Sequence, residues 1–179
     1  KGVVVPYIHA ANSMGIVGYK TKILNLARPG LMIYGLYPDD RLKNKIHLKP
    51  ALSVKSRVVF VKDVVKGRSI SYGRTYIAKK DMPIATLAIG YRDGYLRSLS
   101  NKSFVLIGGK RCPVVGRVTM DQIMVDVSKL KKPRAGAEAV ILGRQGSVQV
   151  TAEELARLAG TINYEIVCSL GSRLPRVHK

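Results

Sequence analysis

After Pro50 the hydrophobic period of this chain becomes that of β-strands, and that change limits its fold more than any other feature. Leu52-Ser53-Val54-Lys55-Ser56-Arg57-Val58 alternates apolar and polar, and Val58-Val59-Phe60-Val61 continues as an apolar run. Residues 84–89 read as a strand closed by Gly90, and Ile123-Met124-Val125-Asp126-Val127 alternates again. Phe104-Val105-Leu106-Ile107 and Lys110-Arg111-Cys112-Pro113-Val114-Val115 flank Gly108-Gly109, a pair that accepts the positive φ angles of a tight hairpin turn. Ala139-Val140-Ile141-Leu142 and Val148-Gln149-Val150 flank a turn at Gly146. Short strands of this kind need a closed or covered sheet, which predicts a small barrel.

One helix is signalled near the C-terminus. Thr151-Ala152-Glu153-Glu154 has the form of a capping box, with Thr151 accepting from an orphan amide and Glu154 returning the bond. Leu155, Leu158 and Ala159 share a face, and Gly160 is a natural end. Residues 161–170 read as a further short helix. Residues 1–38 differ, with Val3-Val4-Val5-Pro6-Tyr7-Ile8-His9 predicting a buried strand and residues 23–26 a short strand or helix end. This span is too short for an independent domain and reads as the end of a larger α/β unit. Residues 39–50 are polar, charged and closed by Pro50, the pattern of a linker. The expected organisation is therefore 1–38, a linker at 39–50, and a β-rich domain at 51–179.

A chain of 179 residues holds one sizeable domain, or one domain and a piece of another. No run of about 18 apolar residues predicts a membrane helix, and Val3-Val4-Val5 is too short for a signal peptide. The absence of an initiating methionine fits a piece of a longer protein. Cys112 and Cys168 lack metal-ligand spacing, so they read as reduced thiols of a cytoplasmic protein, a single disulfide being the alternative, and no metal site is expected. The net charge of +20 raises the question of nucleic acid. The positive residues are spread along the chain, however, and the densest stretch, Lys129 to Arg134, reads as a loop around Pro133. With two Phe and no Trp, base stacking would rest on tyrosines alone. A solvated basic surface, facing an acidic partner, is favoured over nucleic-acid binding.

Four short motifs span the chain: His9-Ala10-Ala11-Asn12-Ser13, Ala27-Arg28-Pro29-Gly30, Ser71-Tyr72-Gly73 and Met120-Asp121-Gln122. Read alone, Tyr72 is a strand packing residue, Arg28 a surface arginine beside a turn, His9 a structural histidine, and Arg97 and Arg117 ordinary surface charge. In this order and spacing the motifs resemble the C-terminal part of the alanine racemases, enzymes that depend on pyridoxal 5'-phosphate. The resemblance runs through residues 3–177 and ends in Ser172-Arg173-Leu174-Pro175-Arg176-Val177. It implies a mainly β fold: an alanine-racemase C-terminal β-barrel with one or two short helices, preceded by the last elements of a (β/α)8 barrel.

The resemblance also implies roles. Tyr72 would be one of two bases, exchanging the α-proton of alanine on one face while a lysine that carries the cofactor works on the other. A tyrosine can act so only where positive charge lowers a phenol pKa of ~10. Arg28 would hydrogen-bond the pyridine nitrogen of the cofactor. A guanidinium does not give up its proton, so that nitrogen stays unprotonated and the ring is a weaker electron sink, which suits racemisation over transamination. Ser13, through its hydroxyl, and Gly30 and Leu31, through their amides, would hold the cofactor phosphate, with His9 orienting Arg28. Tyr164 would complete the phosphate site and narrow the pocket towards alanine.

The backbone N–H of Met120 would meet the substrate carboxylate. Tyr91, Arg97, Arg117 and Asp121 would line the narrow way into the pocket. Two departures stand out: Thr119 where many relatives have Cys, and Arg92 where the family has Ala. No stretch matches the family's lysine-bearing segment, so these residues alone are expected to be inactive. In the complete enzyme the implied partners are L- and D-alanine and a second subunit, in a head-to-tail homodimer whose β-domain closes the partner's cofactor site. Tyr72, Tyr91, Met120 and Asp121 would act on the partner's cofactor, and Arg28, Ser13 and Tyr164 on their own. The implied product, D-alanine, feeds cell-wall peptidoglycan. The competing readings are a non-catalytic basic β-domain serving as an interaction module, and a racemase of serine or another small amino acid.

Overall fold

A computed structural model describes residues 2, 4–19 and 22–178. The chain divides into two compact units, Lys1–Leu52 and Ser53–Lys179.

The first unit forms no strand among its described residues. Val3 lies outside them, and the rest of the run expected as a buried strand is open, with Val4 88% and Val5 57% exposed. An extended segment needs a neighbour for its N–H and C=O groups, and no strand ladder is available to this one. A side chain substitutes for it. Asn25 Oδ1 accepts from Ile8 N at 2.7 Å, Asn25 Nδ2 donates to Pro6 O at 2.8 Å, and Asn25 N donates to Ile8 O at 3.0 Å. Residues 23–26, expected as a short strand or helix end, are therefore an irregular segment stapled by Asn25.

Helix α1, Ser13–Gly18, starts where Asn12 Oδ1 accepts from Gly15 N at 3.0 Å. A 3-10 helix, Gly30–Tyr34, ends at Gly35 (φ +74°), where a Cβ would lie 1.8 Å from Lys49 O. Within the stretch expected as a linker, a second 3-10 helix, Asp40–Asn44, is capped by Asp39, and Leu42 is buried. The Tyr37 hydroxyl donates to Ile46 O at 3.2 Å and accepts from Leu48 N at 3.0 Å.

The second unit carries the strands. They are β1 (Val54–Val64), β2 (Ser69–Ile70), β3 (Tyr76–Ile77), β4 (Met82–Leu87), β5 (Phe104–Ile107), β6 (Lys110–Pro113), β7 (Ile123–Asp126), β8 (Glu138–Gln145) and β9 (Val148–Val150). The main sheet runs β6-β5-β8-β1-β4-β7, with β9 on β8 and β2–β3 as a separate pair. Its pairings are antiparallel. The long strand β1 serves both halves, its first residues on β8 and its later ones on β4, with an irregularity between Val58 and Phe60. Such a bulge bends a strand and lets a sheet curl. The two ends of the sheet then meet: Val114, just past β6, bridges Val125 of β7, and Val115 N donates to Met124 O at 2.9 Å. The result is the small barrel that the alternation predicts.

Its core is apolar and tight. Leu87, Val105, Leu106, Ile123, Val125, Val140 and Val150 are fully buried. Helix α2, Ala152–Ala159, starts at Thr151, whose hydroxyl accepts from Glu154 N at 3.1 Å, and ends at Gly160 (φ +78°). The box closes differently from its expected form. The Glu154 carboxylate is held by Arg111 Nη1 at 2.8 Å, a salt bridge to the β5–β6 hairpin. Helix α3, Asn163–Cys168, follows.

Candidate active site

Three turns of the second unit surround an open cleft of ≈ 510 Å³. The first joins β2 to β3 and carries Tyr72, a residue 76% exposed. Ser71 (φ +64°) and Gly73 (φ +69°) give this turn its shape. Ser71 Oγ donates to Arg117 O at 2.7 Å. A Cβ at Gly73 would lie 2.9 Å from Arg117 Nε, so the turn and the arginine are in direct contact. The second turn, residues 90–94, carries Tyr91, and Arg97 opens the short 3-10 helix Arg97–Leu99 that follows.

The third turn, 119–122, carries Met120 and Asp121. Thr119 closes it, donating from its N to Gln122 O at 3.0 Å and accepting from Gln122 N at its hydroxyl at 3.2 Å. The second and third turns interlock through main chain, with Tyr91 N on Thr119 O at 3.0 Å and Arg92 N on Met120 O at 3.1 Å. This contact requires glycine at position 90, since a Cβ there would lie 2.3 Å from both carbonyl oxygens.

Tyr72, Tyr91, Arg97, Arg117, Met120 and Asp121 thus line one cleft, together with Val118, Thr119 and Gln122. Two guanidiniums, those of Arg97 and Arg117, give it positive charge. Such a space suits a small carboxylate-bearing molecule beside a phenol.

The other candidate residues fall elsewhere. In the first unit the Ser13 hydroxyl donates to Pro29 O. A Cβ at Gly30 would come within 3.6 Å of Ser13 Oγ, so Ser13, Gly30 and Leu31 stand together at the start of a helical turn. Arg28 Nη2 donates to Ala10 O at 3.1 Å, and Arg28 N to Ala11 O at 3.0 Å. His9 makes no hydrogen bond to Arg28 among the described residues; main chain holds that arginine. Tyr164 stands half-exposed in the first turn of α3 and does not line the cleft of the three turns.

Sequence reasoning passed over Ser71, Gln122 and Arg173. Ser71 lay inside a quoted motif, and Arg173 inside the closing Ser172-Arg173-Leu174-Pro175-Arg176, but neither type of residue announces its partner. Among the described residues no group of three His, Cys, Asp or Glu is arranged to hold a metal ion. No helix there is long and apolar enough to cross a membrane.

Comparison with known proteins gives the same direction. Residues 51–178 match the family described as alanine racemase, C-terminal domain. Alanine racemase of Halothermothrix orenii is 47% identical over 98% of this chain, which covers 46% of that protein. The crystal structure of alanine racemase from Bacillus anthracis with bound L-Ala-P superposes with a TM-score of 0.91 at 42% identity, over 98% of this chain and 45% of that one. The alanine racemase from Bartonella henselae with covalently bound pyridoxal phosphate superposes at 0.85 and 33% identity, over 93% of this chain and 45% of that one. The chain spans about half the length of the curated relatives it matches. With the family match covering the whole barrel that builds the cleft, the chain belongs to the alanine racemase family, and residues 51–178 are its C-terminal domain.

Proposed function

We propose that this chain is the C-terminal part of a pyridoxal-phosphate-dependent enzyme that interconverts L- and D-alanine, with Tyr72 as one of its two bases. The observation that carries the reading is the gathering of Tyr72, Tyr91, Arg97, Arg117, Met120 and Asp121 around one cleft. These side chains come from three turns distant in sequence, and a domain serving only as a binding module has no need of that grouping.

The residues of the first unit fit the cofactor. A phosphate is met by hydroxyls and by the free amides at the start of a helical turn. Ser13, Gly30 and Leu31 combine both in a cradle that a side chain at position 30 would fill. Arg28, held by its bond to Ala10 O, would meet the pyridine nitrogen; an orienting role for His9 would need a contact that forms only in the complete enzyme. Tyr164 would complete the phosphate site. When bound, the cofactor supplies an electron sink for the pair left behind when the substrate loses its α-proton.

In the head-to-tail dimer, Tyr72, Tyr91, Met120 and Asp121 would act at the cofactor held by the other subunit. The Tyr72 oxygen takes or returns a proton on one face of the substrate α-carbon. A lysine, in the part of the family's chain that these residues do not cover, serves the other face. The Met120 amide receives the substrate carboxylate. Tyr91, Arg97, Arg117 and Asp121 line the way in, where two arginines attract a carboxylate. Residues 1–38 are assigned to the barrel that precedes this domain in the family, 39–50 to the linker and 51–179 to the domain itself. The complete enzyme is a cytoplasmic head-to-tail homodimer whose D-alanine supplies cell-wall peptidoglycan.

The test is Tyr72→Phe in the full-length protein, with racemisation of L- and D-alanine followed by polarimetry. General-base loss predicts a fall of about 10²–10⁴-fold in kcat, with the cofactor's absorption unchanged. Activity retained within about threefold would remove Tyr72 from the chemistry. Serine offered in place of alanine checks the substrate, which Tyr164 should restrict.

A further inference from the structure

The segment after α3 lies directly on the turn that carries Tyr91. Ser169 Oγ donates to Gly94 O at 2.9 Å, and Gly171 N donates to Asp93 O at 3.3 Å. The two backbones touch, for a Cβ at Gly94 would lie 2.3 Å from Ser169 O. Two residues further on, Arg173 reaches two carboxylates at once. Its Nη1 donates to Asp121 Oδ1 at 2.8 Å, and its Nε lies 3.5 Å from Asp93 Oδ1. Asp93 is buried, and its other oxygen accepts from Gly90 N at 3.0 Å. One carboxylate therefore belongs to the 90–94 turn and the other to the 119–122 turn, the two interlocked turns that form a wall of the cleft.

We propose that Arg173 is a positioning residue: by clasping Asp93 and Asp121 together it holds the 90–94 turn against the 119–122 turn and so sets the wall that carries Tyr91 and Met120. The proposal rests on the racemase reading of that cleft. A guanidinium suits the task because its planar fork spans two acceptors, whereas an ammonium is a single point of charge. The clasp has a second effect on charge. Without Arg173, Asp93 is a buried carboxylate without its cation, and Asp121 is an uncompensated anion at the cleft that opposes an incoming carboxylate. The side chain does not line the cleft; it acts through the two turns. Attachment of the clasp to the chain directly after α3 also ties the Tyr164 helix to the Tyr91 turn.

The experiment uses the full-length enzyme and two independent readouts. In Arg173→Gln, KM for both alanine enantiomers should rise about tenfold while kcat stays within about threefold. A merely structural role would lower the active fraction and leave KM alone. Arg173→Lys should recover part of the KM, since it can meet one carboxylate. In an Asp121→Asn background, Arg173→Gln should cost less than it does alone, because part of the clasp is already gone.

The second readout is hydrogen exchange at the amides of Tyr91 and Arg92, which bond across the two turns. Exchange there should quicken in Arg173→Gln while that of the 104–113 hairpin stays as in the parent. Should Arg173→Gln fail to fold, Asp121→Asn alone must quicken the same amides. An unchanged KM or unchanged exchange overturns the clasp. An unaltered parent that fails to racemise alanine overturns the reading of the cleft instead, and the exchange experiment still decides the clasp.

Discussion

The Ser71 hydroxyl donates to the carbonyl of Arg117 at 2.7 Å, tying the turn that carries Tyr72 to the segment that leads into Met120. Ser71 holds φ +64° and ψ −178°, a region adopted almost only by glycine. The serine is thus strained in its backbone and retained by its side chain. The two effects separate by mutation. Ser71→Ala keeps the strain and loses the bond, which should cost ~1 kcal/mol in urea unfolding. Ser71→Gly loses the same bond but relieves strain of order 1–3 kcal/mol. It should therefore be the more stable of the two, and as stable as the parent or more so. Both should lower kcat by loosening Tyr72. Equal stability of the two variants would show that the turn is not strained.

Gly90 and Gly146 are glycines for opposite reasons. Gly90 has φ −151°, which any residue adopts, but a Cβ would lie 2.3 Å from the carbonyl oxygens of Thr119 and Met120. Gly146 has φ +62° and nothing within 4 Å of a Cβ. Gly90→Ala should therefore cost ~3 kcal/mol or more, because backbone atoms cannot turn aside, and should abolish activity by parting the two turns. Gly146→Ala should cost ~1 kcal/mol, the strain of a left-handed alanine, with activity intact. Thermal melts of the two variants, with activity assays, check both.

Much of the second unit was readable because its strands are bounded and their alternation faces one core. The hairpin at Gly108-Gly109 and the strands β1, β4 and β7 follow from period and turn chemistry, although β4 runs Met82–Leu87 and not 84–89 as expected. The closure of the barrel does not, since the Val114–Val125 bridge joins residues whose pairing no local pattern encodes. Residues 4–9 show the converse. Their composition is that of a strand, yet a strand exists only beside another, and the segment is held instead by Asn25. At the cleft, the family resemblance named Tyr72, Tyr91, Arg97, Arg117, Met120 and Asp121 but carried no distances. Ser71 and Arg173 went unassigned because hydrogen-bond partners 46 and 52 residues away leave no trace in sequence.

Arg111 joins three elements. It stacks 3.9 Å from the centroid of the Phe104 ring, donates to Gln149 O at 3.0 Å and pairs with Glu154 at 2.8 Å. The ion pair is half-exposed on the arginine side and is worth little by itself. The stack and the fork geometry add what a lysine cannot supply. Arg111→Lys should therefore lose ~1–2 kcal/mol, a fall of a few degrees in Tm. Since Arg111 does not line the cleft, KM and kcat should stay at parental values. A lysine variant as stable as the parent would mean that only the charge counts.

The two cysteines should differ sharply in reactivity. Cys112 is buried, and burial pushes its thiol up to about 11, with Asp126 adding to the rise. Cys168 is exposed on α3. The thiolate is the reactive form, so a thiol reagent at pH 8 should modify Cys168 at once and Cys112 only on unfolding. The same shift has a consequence for stability. Because the folded value lies above the unfolded value of about 9, this group's contribution is complete below that pH and is lost as pH rises towards about 11. The loss approaches ~2–3 kcal/mol at the alkaline end. Cys112→Val, similar in volume, should keep stability within ~1.5 kcal/mol at neutral pH and flatten the alkaline decline. If the variant falls as steeply as the parent between pH 9 and 11, some other group drives the alkaline loss.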